Sequence, residues 1–320
     1  MSLLDAKQGK VTGNGSVIGR FAPSPTGRMH AGNIFSALVS WLVVKSQNGR
    51  MVLRIEDLDR ERSKPEWADQ VQRDFELLGL TWDDGPFFQQ GRDEAYEAAF
   101  RTIAERGRVF PCYCTRADLH ATSAPHRGEK AVYPGTCRNL TAAERGERES
   151  VRKPAWRLLA PDVDYGFTDF VQGEFRQNLM YECGDFVVRR ADGLFAYQLA
   201  VTVDDAEQGV NVVVRGMDLL VSTPQQMYLQ DLLGLPHPSY AHVPLIVGER
   251  DRRLSKRDRD ASLEELLKRF GPPEAVIGHI ASLSGLIDHD EPLSCEELLD
   301  CFNPNSLKTV FRDNEQIIWQ

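Results

Sequence analysis

At 320 residues, with 42% hydrophobic and 27% charged side chains, the chain has the size and composition of a soluble globular protein whose core is split into two or three substructures. Its net charge of −9 argues against a generally basic nucleic-acid coat but leaves room for a local basic surface. The longest apolar stretch, residues 34–44, contains two serines and is too short to cross a bilayer, and residues 1–7 lack the hydrophobic segment of a secretory signal; a cytoplasmic protein with no membrane partner is expected.

Residues 1–15 are polar and glycine-rich and read as a flexible tail. A strand over 16–21, a turn, a helix over 31–47 and a strand over 51–56 make a βαβ unit, whose two strands should be parallel neighbours. Pro65 opens a helix carrying Trp67, Val71, Phe75 and Leu78 on one face, and a third helix is predicted over 93–106. From about 110 to 184, cysteines, prolines and short polar segments replace long helices, which marks an insertion. Strands follow at Phe186-Val-Val-Arg189 and over 211–215, then a helix from Thr223-Pro224 and one buried strand from Val243 to Val247. Beyond Asp260 the pattern is helical, with Leu263, Leu266 and Leu267 on one stripe and Pro272-Pro273 opening the next helix. The predicted organisation is therefore 16–110 and 185–257 as two halves of one α/β unit, 111–184 as the insertion and 258–320 as a short helical region.

The segment Arg20-Phe-Ala-Pro-Ser-Pro-Thr-Gly-Arg-Met-His-Ala-Gly-Asn33 joins the first strand to the first helix. Pro23 and Pro25 fix φ in this turn, and a helix starting near Ala31 aims unpaired N–H groups and a positive dipole end above the strand, as in phosphate sites. His30 stands at that mouth as a donor to phosphate oxygens, and Gly32 allows a base or ribose to approach. A solvent-exposed histidine at a helix start has the same signature. Downstream, residues 249–260 hold six basic against four acidic residues, a local net charge of +2. A lysine on a loop beside a phosphate site can neutralise charge that builds at phosphorus. A solvated charged loop is the plainer alternative.

Of six cysteines, Cys112, Cys114 and Cys137 cluster, whereas Cys183, Cys295 and Cys301 are scattered and read as small buried hydrophobes. Three sulfurs in a loop-rich insert with little core of its own fit a structural zinc knuckle; general zinc chemistry nominates His120 or His126 as the fourth ligand.

Pro-Ser-Pro-Thr-Gly-x-x-His-x-Gly together with Arg253-Leu-Ser-Lys-Arg257 resembles the two signature motifs of class I aminoacyl-tRNA synthetases. Arg20-Phe-Ala-Pro-Ser-Pro-Thr-Gly27, Arg54-Ile-Glu-Asp-Leu-Asp59, Tyr197-Gln-Leu-Ala-Val-Thr-Val-Asp-Asp205 and Val214-Arg-Gly-Met-Asp218 look like the glutamyl-tRNA synthetase family. The resemblance spans about residues 17–257 and implies an α/β fold, a class I synthetase Rossmann-like parallel sheet with a zinc-containing insertion and a short C-terminal helical region. It implies that Arg20, Phe21, Ala22, Pro23, Ser24, Glu56, Tyr197 and Arg215 face the glutamate. His30, Gly32, Asn33, Ser255 and Lys256 would bind ATP with its Mg²⁺, with His30 and Lys256 catalytic. It favours Tyr133 as the fourth zinc ligand with the three cysteines.

A glutamate pocket needs cations for two carboxylates and an acid for one ammonium, and Arg20, Arg215 and Glu56 supply that set. Glu56 could instead merely end a strand in an acidic turn, and Arg215 could be a surface salt-bridge partner. Two positions depart from the family pattern: Asn33 replaces its second histidine and Arg253 the first lysine of its loop. Only 63 residues follow Arg257 (320 minus 257), too few for the family's large anticodon-binding region. The chain therefore resembles the short branch of the family, whose implied reaction is ATP-dependent activation of L-glutamate and its transfer to queuosine at the wobble position of tRNA(Asp), with the anticodon loop entering the site of a monomeric ligase. A truncated enzyme charging a tRNA 3′ end and a non-catalytic tRNA-binding relative are the alternatives.

Overall fold

The structure, a computed structural model, describes residues 16–115, 117–119, 132–248, 252–253 and 261–319. Ile18–Phe21 (β1), Ala31–Lys45 (α1) and Arg50–Ile55 (β2) form the expected βαβ unit, and β1 pairs with β2 in parallel from Ile18 opposite Arg50 to Phe21 opposite Leu53. Gly19 is required by this packing, because a Cβ there would collide with Val44 of α1. Pro65–Leu77 (α2) buries Val71 and Phe75 as the sequence predicts. Asp84–Phe88 (β3) extends the sheet in parallel beside β2. The sequence reading missed β3, because Asp-Gly-Pro is turn chemistry and neither face of the strand is fully buried. Asp93–Glu105 (α3) follows.

The insertion is more regular than its composition suggests. Val109–Cys112 (β4) is followed by Ala142–Val151 (α4), an exposed helix with a Thr141/Glu144 capping box, and by Ala155–Leu158 (β5). Asp164–Asp169 (β6) and Gly173–Asn178 (β7) form an antiparallel hairpin. Phe186–Arg189 (β8) then closes an antiparallel sheet in the order β4-β5-β8.

The chain returns through Tyr197–Glu207 (α5) to Val212–Gly216 (β9), Thr223–Leu233 (α6) and Ser239–Val243 (β10), with β10 parallel to β9. The Asn211 N–H donates to the Ile18 carbonyl at 3.0 Å and Asn211 Oδ1 accepts from the Ile18 N–H at 2.8 Å, so the parallel groups β3-β2-β1 and β9-β10 meet along β1 and β9. The single strand expected from Val243 to Val247 is a correction. Pro244 has no N–H to donate and separates β10 from Leu245–Gly248 (β11), which belongs to a different sheet. There Arg252–Arg253 (β12) pairs antiparallel with β11.

Leu263–Phe270 (α7), Pro273–Leu283 (α8), Cys295–Cys301 (α9) and Ser306–Phe311 (α10) form the helical tail, and Gln316–Ile318 (β13) returns to pair with β11. α1 lies between the sheet and these helices; Ile34, Phe35, Leu38 and Leu42 are fully buried, each contributing about 1.5–3 kcal/mol of transfer free energy. Cys295 is buried as expected, whereas Cys301 is exposed and Cys183 only partly covered, since Cys301 ends α9 on its outer side. Among the described residues no helix is long and apolar enough to cross a membrane.

Candidate active site

A cavity of about 780 Å³ opens over the C-terminal ends of β1, β2 and β9, at the place where strand order reverses between β1 and β9. Open α/β sheets bind ligands at this edge. β1 and its turn contribute Arg20, Phe21, Ala22, Pro23 and Ser24 to the lining. The mouth of α1 contributes His30, Gly32 and Asn33, and Glu56, Tyr197 and Arg215 come from three other elements. All the described residues that the resemblance assigned to glutamate and ATP thus share one cavity. Neither Glu56 nor Arg215 takes its plainer reading: the Glu56 side chain is 8% exposed and Arg215 is 5% exposed.

The proline turn is tied to the neighbouring strand end. Pro23 accepts the Glu56 N–H at 2.9 Å, and Pro25 accepts the Lys64 N–H at 3.3 Å. His30 is the extended residue before α1, and its N–H donates to Asn33 Oδ1 at 3.3 Å. Asn33 therefore acts as a local cap that orders the helix mouth, a use its position in the signature did not disclose.

Behind the cavity sits a charged cluster that the sequence reading did not single out. Fully buried Arg54 reaches Asp205 Oδ1 at 2.8 Å, Glu56 Oε1 at 3.2 Å and Gln208 Oε1 at 2.8 Å. Asp204 Oδ1 takes a 2.7 Å bond from Arg92 Nε, and its Oδ2 accepts from Gln89 at 2.7 Å and Tyr96 at 2.9 Å. Arg20 donates to the Val214 carbonyl at 3.1 Å, while its Nε faces Asp205 Oδ1 at 3.5 Å without forming a hydrogen bond. Burial pushes the Glu56 carboxyl above the usual range, against the pull of Arg54 and Arg20, so an ammonium partner would stabilise its ionised form. Burial and then the Glu56 carboxylate push Tyr197 up to about 12, leaving a neutral phenol.

Arg215 is held by side chains the sequence reading also missed. Its Nε donates to His242 Nε2 at 3.0 Å, one Nη to Gln226 Oε1 at 2.8 Å and the other to Thr223 Oγ1 at 2.8 Å. His242 lies 27 residues away in a strand with no motif of its own, while Thr223 and Gln226 stand on the helix that follows β9, 8 and 11 residues after Arg215.

Lys256 and Ser255 lie outside the described residues. On their N-terminal side Arg253 pairs with Val247 of β11, and on their C-terminal side Ser262 bridges to His30 while the Leu263 N–H donates to Met29 at 3.0 Å.

In the insertion, the sulfurs of Cys112, Cys114 and Cys137 lie within 4.8 Å of one another. Cys114 and Cys137 sulfurs are 3.6 Å apart, and Tyr133 Oη is 3.4 Å from Cys112 Sγ and 3.9 Å from Cys114 Sγ. Tetrahedral zinc with Zn–S bonds of about 2.3 Å needs sulfurs about 3.8 Å apart and an oxygen about 3.6 Å from each, so the four side chains fit a single ion. Arg157 Nε donates to Cys112 Sγ at 3.2 Å and packs its guanidinium 3.9 Å from the Tyr133 ring centroid. Burial would raise the Cys112 thiol, but hydrogen bonds from Tyr133, the Cys114 backbone and Arg157 bring it below its ordinary value. His120 and His126, the alternative ligands, lie outside the described residues.

The family described as tRNA synthetases class I (E and Q), catalytic domain, matches residues 16–314. The chain is 47% identical over 297 residues to a glutamyl-Q tRNA(Asp) synthetase of Symbiobacterium thermophilum, covering 89% of this chain and 92% of that protein. It is 48% identical over 265 residues to the glutamyl-Q tRNA(Asp) synthetase of Thiobacillus denitrificans, covering 80% and 86%. Among solved structures, a glutamate tRNA ligase from Elizabethkingia meningosepticum in complex with its amino acid superimposes with a TM-score of 0.77 at 27% identity, over 94% of this chain and 67% of that one. The glutamate-tRNA synthetase of Elizabethkingia anophelis superimposes with a TM-score of 0.79 at 26% identity, over 95% and 68%. The chain therefore belongs to the glutamyl-Q tRNA(Asp) synthetase family of class I aminoacyl-tRNA synthetases.

Proposed function

We propose that the protein activates L-glutamate with ATP and transfers it to queuosine at the wobble position of tRNA(Asp). The observation that carries this reading is the convergence of Arg20, Arg215 and Glu56 on one cavity at the mouth of α1. Two guanidinium groups and one carboxylate complement the two carboxylates and one ammonium of glutamate, and relatives bearing the name of this activity are 41–48% identical.

In the first step an oxygen of the glutamate α-carboxylate forms a bond to the α-phosphorus of ATP. The bond from that phosphorus to the bridging oxygen breaks, and pyrophosphate leaves with the electron pair. His30 and the α1 N-terminus would stabilise phosphate charge on one side and Lys256 on the other. Mg²⁺ bound with ATP would offset part of the same charge. In the second step a hydroxyl oxygen of the queuosine cyclopentenediol attacks the glutamyl carbonyl carbon, the bond to adenylate breaks, AMP departs with the pair, and the hydroxyl proton is released. No side chain forms a covalent intermediate, so the protein acts by positioning and electrostatics.

Zinc held by Cys112, Cys114, Tyr133 and Cys137 would join the end of β4 to the 133–137 segment and stabilise the insertion, with no part in phosphoryl chemistry. The deciding experiment charges tRNA from cells with and without queuosine using labelled glutamate. Labelling confined to queuosine-containing tRNA(Asp) is expected; equal labelling of both pools, or labelling of tRNA(Glu) at its 3′ end, would overturn the choice of acceptor.

A further inference from the structure

We propose that Asp169 and His242 are positioning residues that hold the Arg215 guanidinium ready for a carboxylate of the substrate without neutralising it. The inference rests on the glutamate-pocket reading above and adds the device that keeps one of its cations available.

Asp169 ends β6, in the insertion, and His242 lies on β10 of the parallel sheet; both side chains are fully buried. The His242 ring nitrogen Nδ1 is 2.6 Å from Asp169 Oδ2, and Nε2 faces Arg215 Nε at 3.0 Å. A guanidinium can only donate, so Nε2 must accept and the proton must sit on Nδ1, where it is donated to Asp169. Burial pushes His242 down to about 4 against the pull of Asp169, and the Arg215 cation lowers it further, so the ring is neutral. Asp169 is itself fixed, because Oδ1 accepts the N–H groups of Val171 at 3.0 Å and Gln172 at 2.9 Å, and both carboxylate oxygens accept the His242 N–H at 3.1 Å.

The physical logic is one of spacing. Among the described residues no carboxylate lies within ion-pair distance of Arg215, although Arg20 and Arg54 both have acidic partners. A carboxylate in direct contact would compete with the substrate for the fork. A neutral imidazole orients the fork equally well, and the compensating charge of Asp169 stays one ring away. Gln226 Oε1 and Thr223 Oγ1, also uncharged, fix the two Nη atoms at 2.8 Å. The insertion thus reaches the amino-acid pocket through its β6–β7 hairpin.

The test measures KM for glutamate and for ATP in glutamate-dependent pyrophosphate exchange. In Asp169→Asn the new amide N–H would point at His242 Nδ1, moving the ring proton to Nε2 and against Arg215. We expect KM for glutamate to rise by about 10- to 100-fold, the worth of a hydrogen bond to a charged group, with KM for ATP within about twofold. His242→Gln, which can keep an acceptor near Arg215, should lose less than His242→Phe. Arg215→Ala is the benchmark: an unchanged KM for glutamate there would refute the pocket reading itself. A raised value in Arg215→Ala with an unchanged value in Asp169→Asn would overturn the relay alone. If Asp169→Asn does not fold, the histidine pair decides, and equal glutamate KM values in His242→Gln and His242→Phe would overturn it.

Discussion

Arg54 and Asp205 meet at 2.8 Å between β2 and α5, and this buried pair sits behind the cavity that Arg20 and Glu56 line. Arg54 also contacts Glu56, and Asp205 also faces Arg20, so the pair holds one acidic and one basic side chain of the cavity lining at once, the two proposed to face glutamate. Removing the guanidinium would leave Glu56, Asp204 and Asp205 without their shared buried cation. Arg54→Met should therefore destabilise the fold by about 3–5 kcal/mol, read from urea unfolding. A loss below about 1 kcal/mol would mean that water or rearranged side chains replace the guanidinium.

Glutamate binding should weaken on acidification. Glu56 must be ionised to pair with the substrate ammonium, and burial raises its pKa, so its proton returns above the ordinary carboxylate range as pH falls. KM for glutamate should climb through that window while KM for ATP stays flat. Glu56→Gln should show a raised glutamate KM with little pH dependence over the same range. A pH profile shared by wild type and Glu56→Gln would assign the titration to another group.

Metal removal should loosen the insertion before it stops adenylate chemistry. Purified protein is expected to contain one zinc per chain by elemental analysis, and Cys137→Ser should lower that content and the melting temperature together. Metal affinity should fall as pH drops, because the ligands must be deprotonated. Pyrophosphate exchange below the melting transition should change by less than about tenfold. An exchange rate abolished in a folded, zinc-free protein would contradict a structural role.

Lys256→Ala should slow glutamate-dependent pyrophosphate exchange by roughly 10²–10³-fold, the usual worth of one electrostatic group at a transferring phosphate, with an unchanged melting temperature. Exchange near the wild-type rate would place the lysine away from the phosphates.

The sequence made the catalytic frame legible because its signals are local. Apolar spacing after the proline turn marked α1, the run Met51-Val-Leu-Arg-Ile marked β2, and the motifs named the residues that line the cavity. Strands with weak local signals escaped. β3 contains Gly-Pro, β10 carries Ser239 and His242, and Pro244 divides what reads as one apolar run. β4 and β5 find their hydrogen bonds across dozens of residues, and no short window contains both partners.

By itself, then, the sequence determined that this is a synthetase-like βαβ scaffold with arginines and an acid suited to glutamate, and that three cysteines lie close enough in the chain to share a metal. Tertiary structure alone decided how those groups are held. It set Arg54 among Glu56, Asp204 and Asp205, and it brought Asp169 to His242 across 73 residues of chain. The reason is that residue types and their spacing are written along the chain. The field and orientation at a buried guanidinium depend on which distant side chains surround it, and the folded packing fixes those.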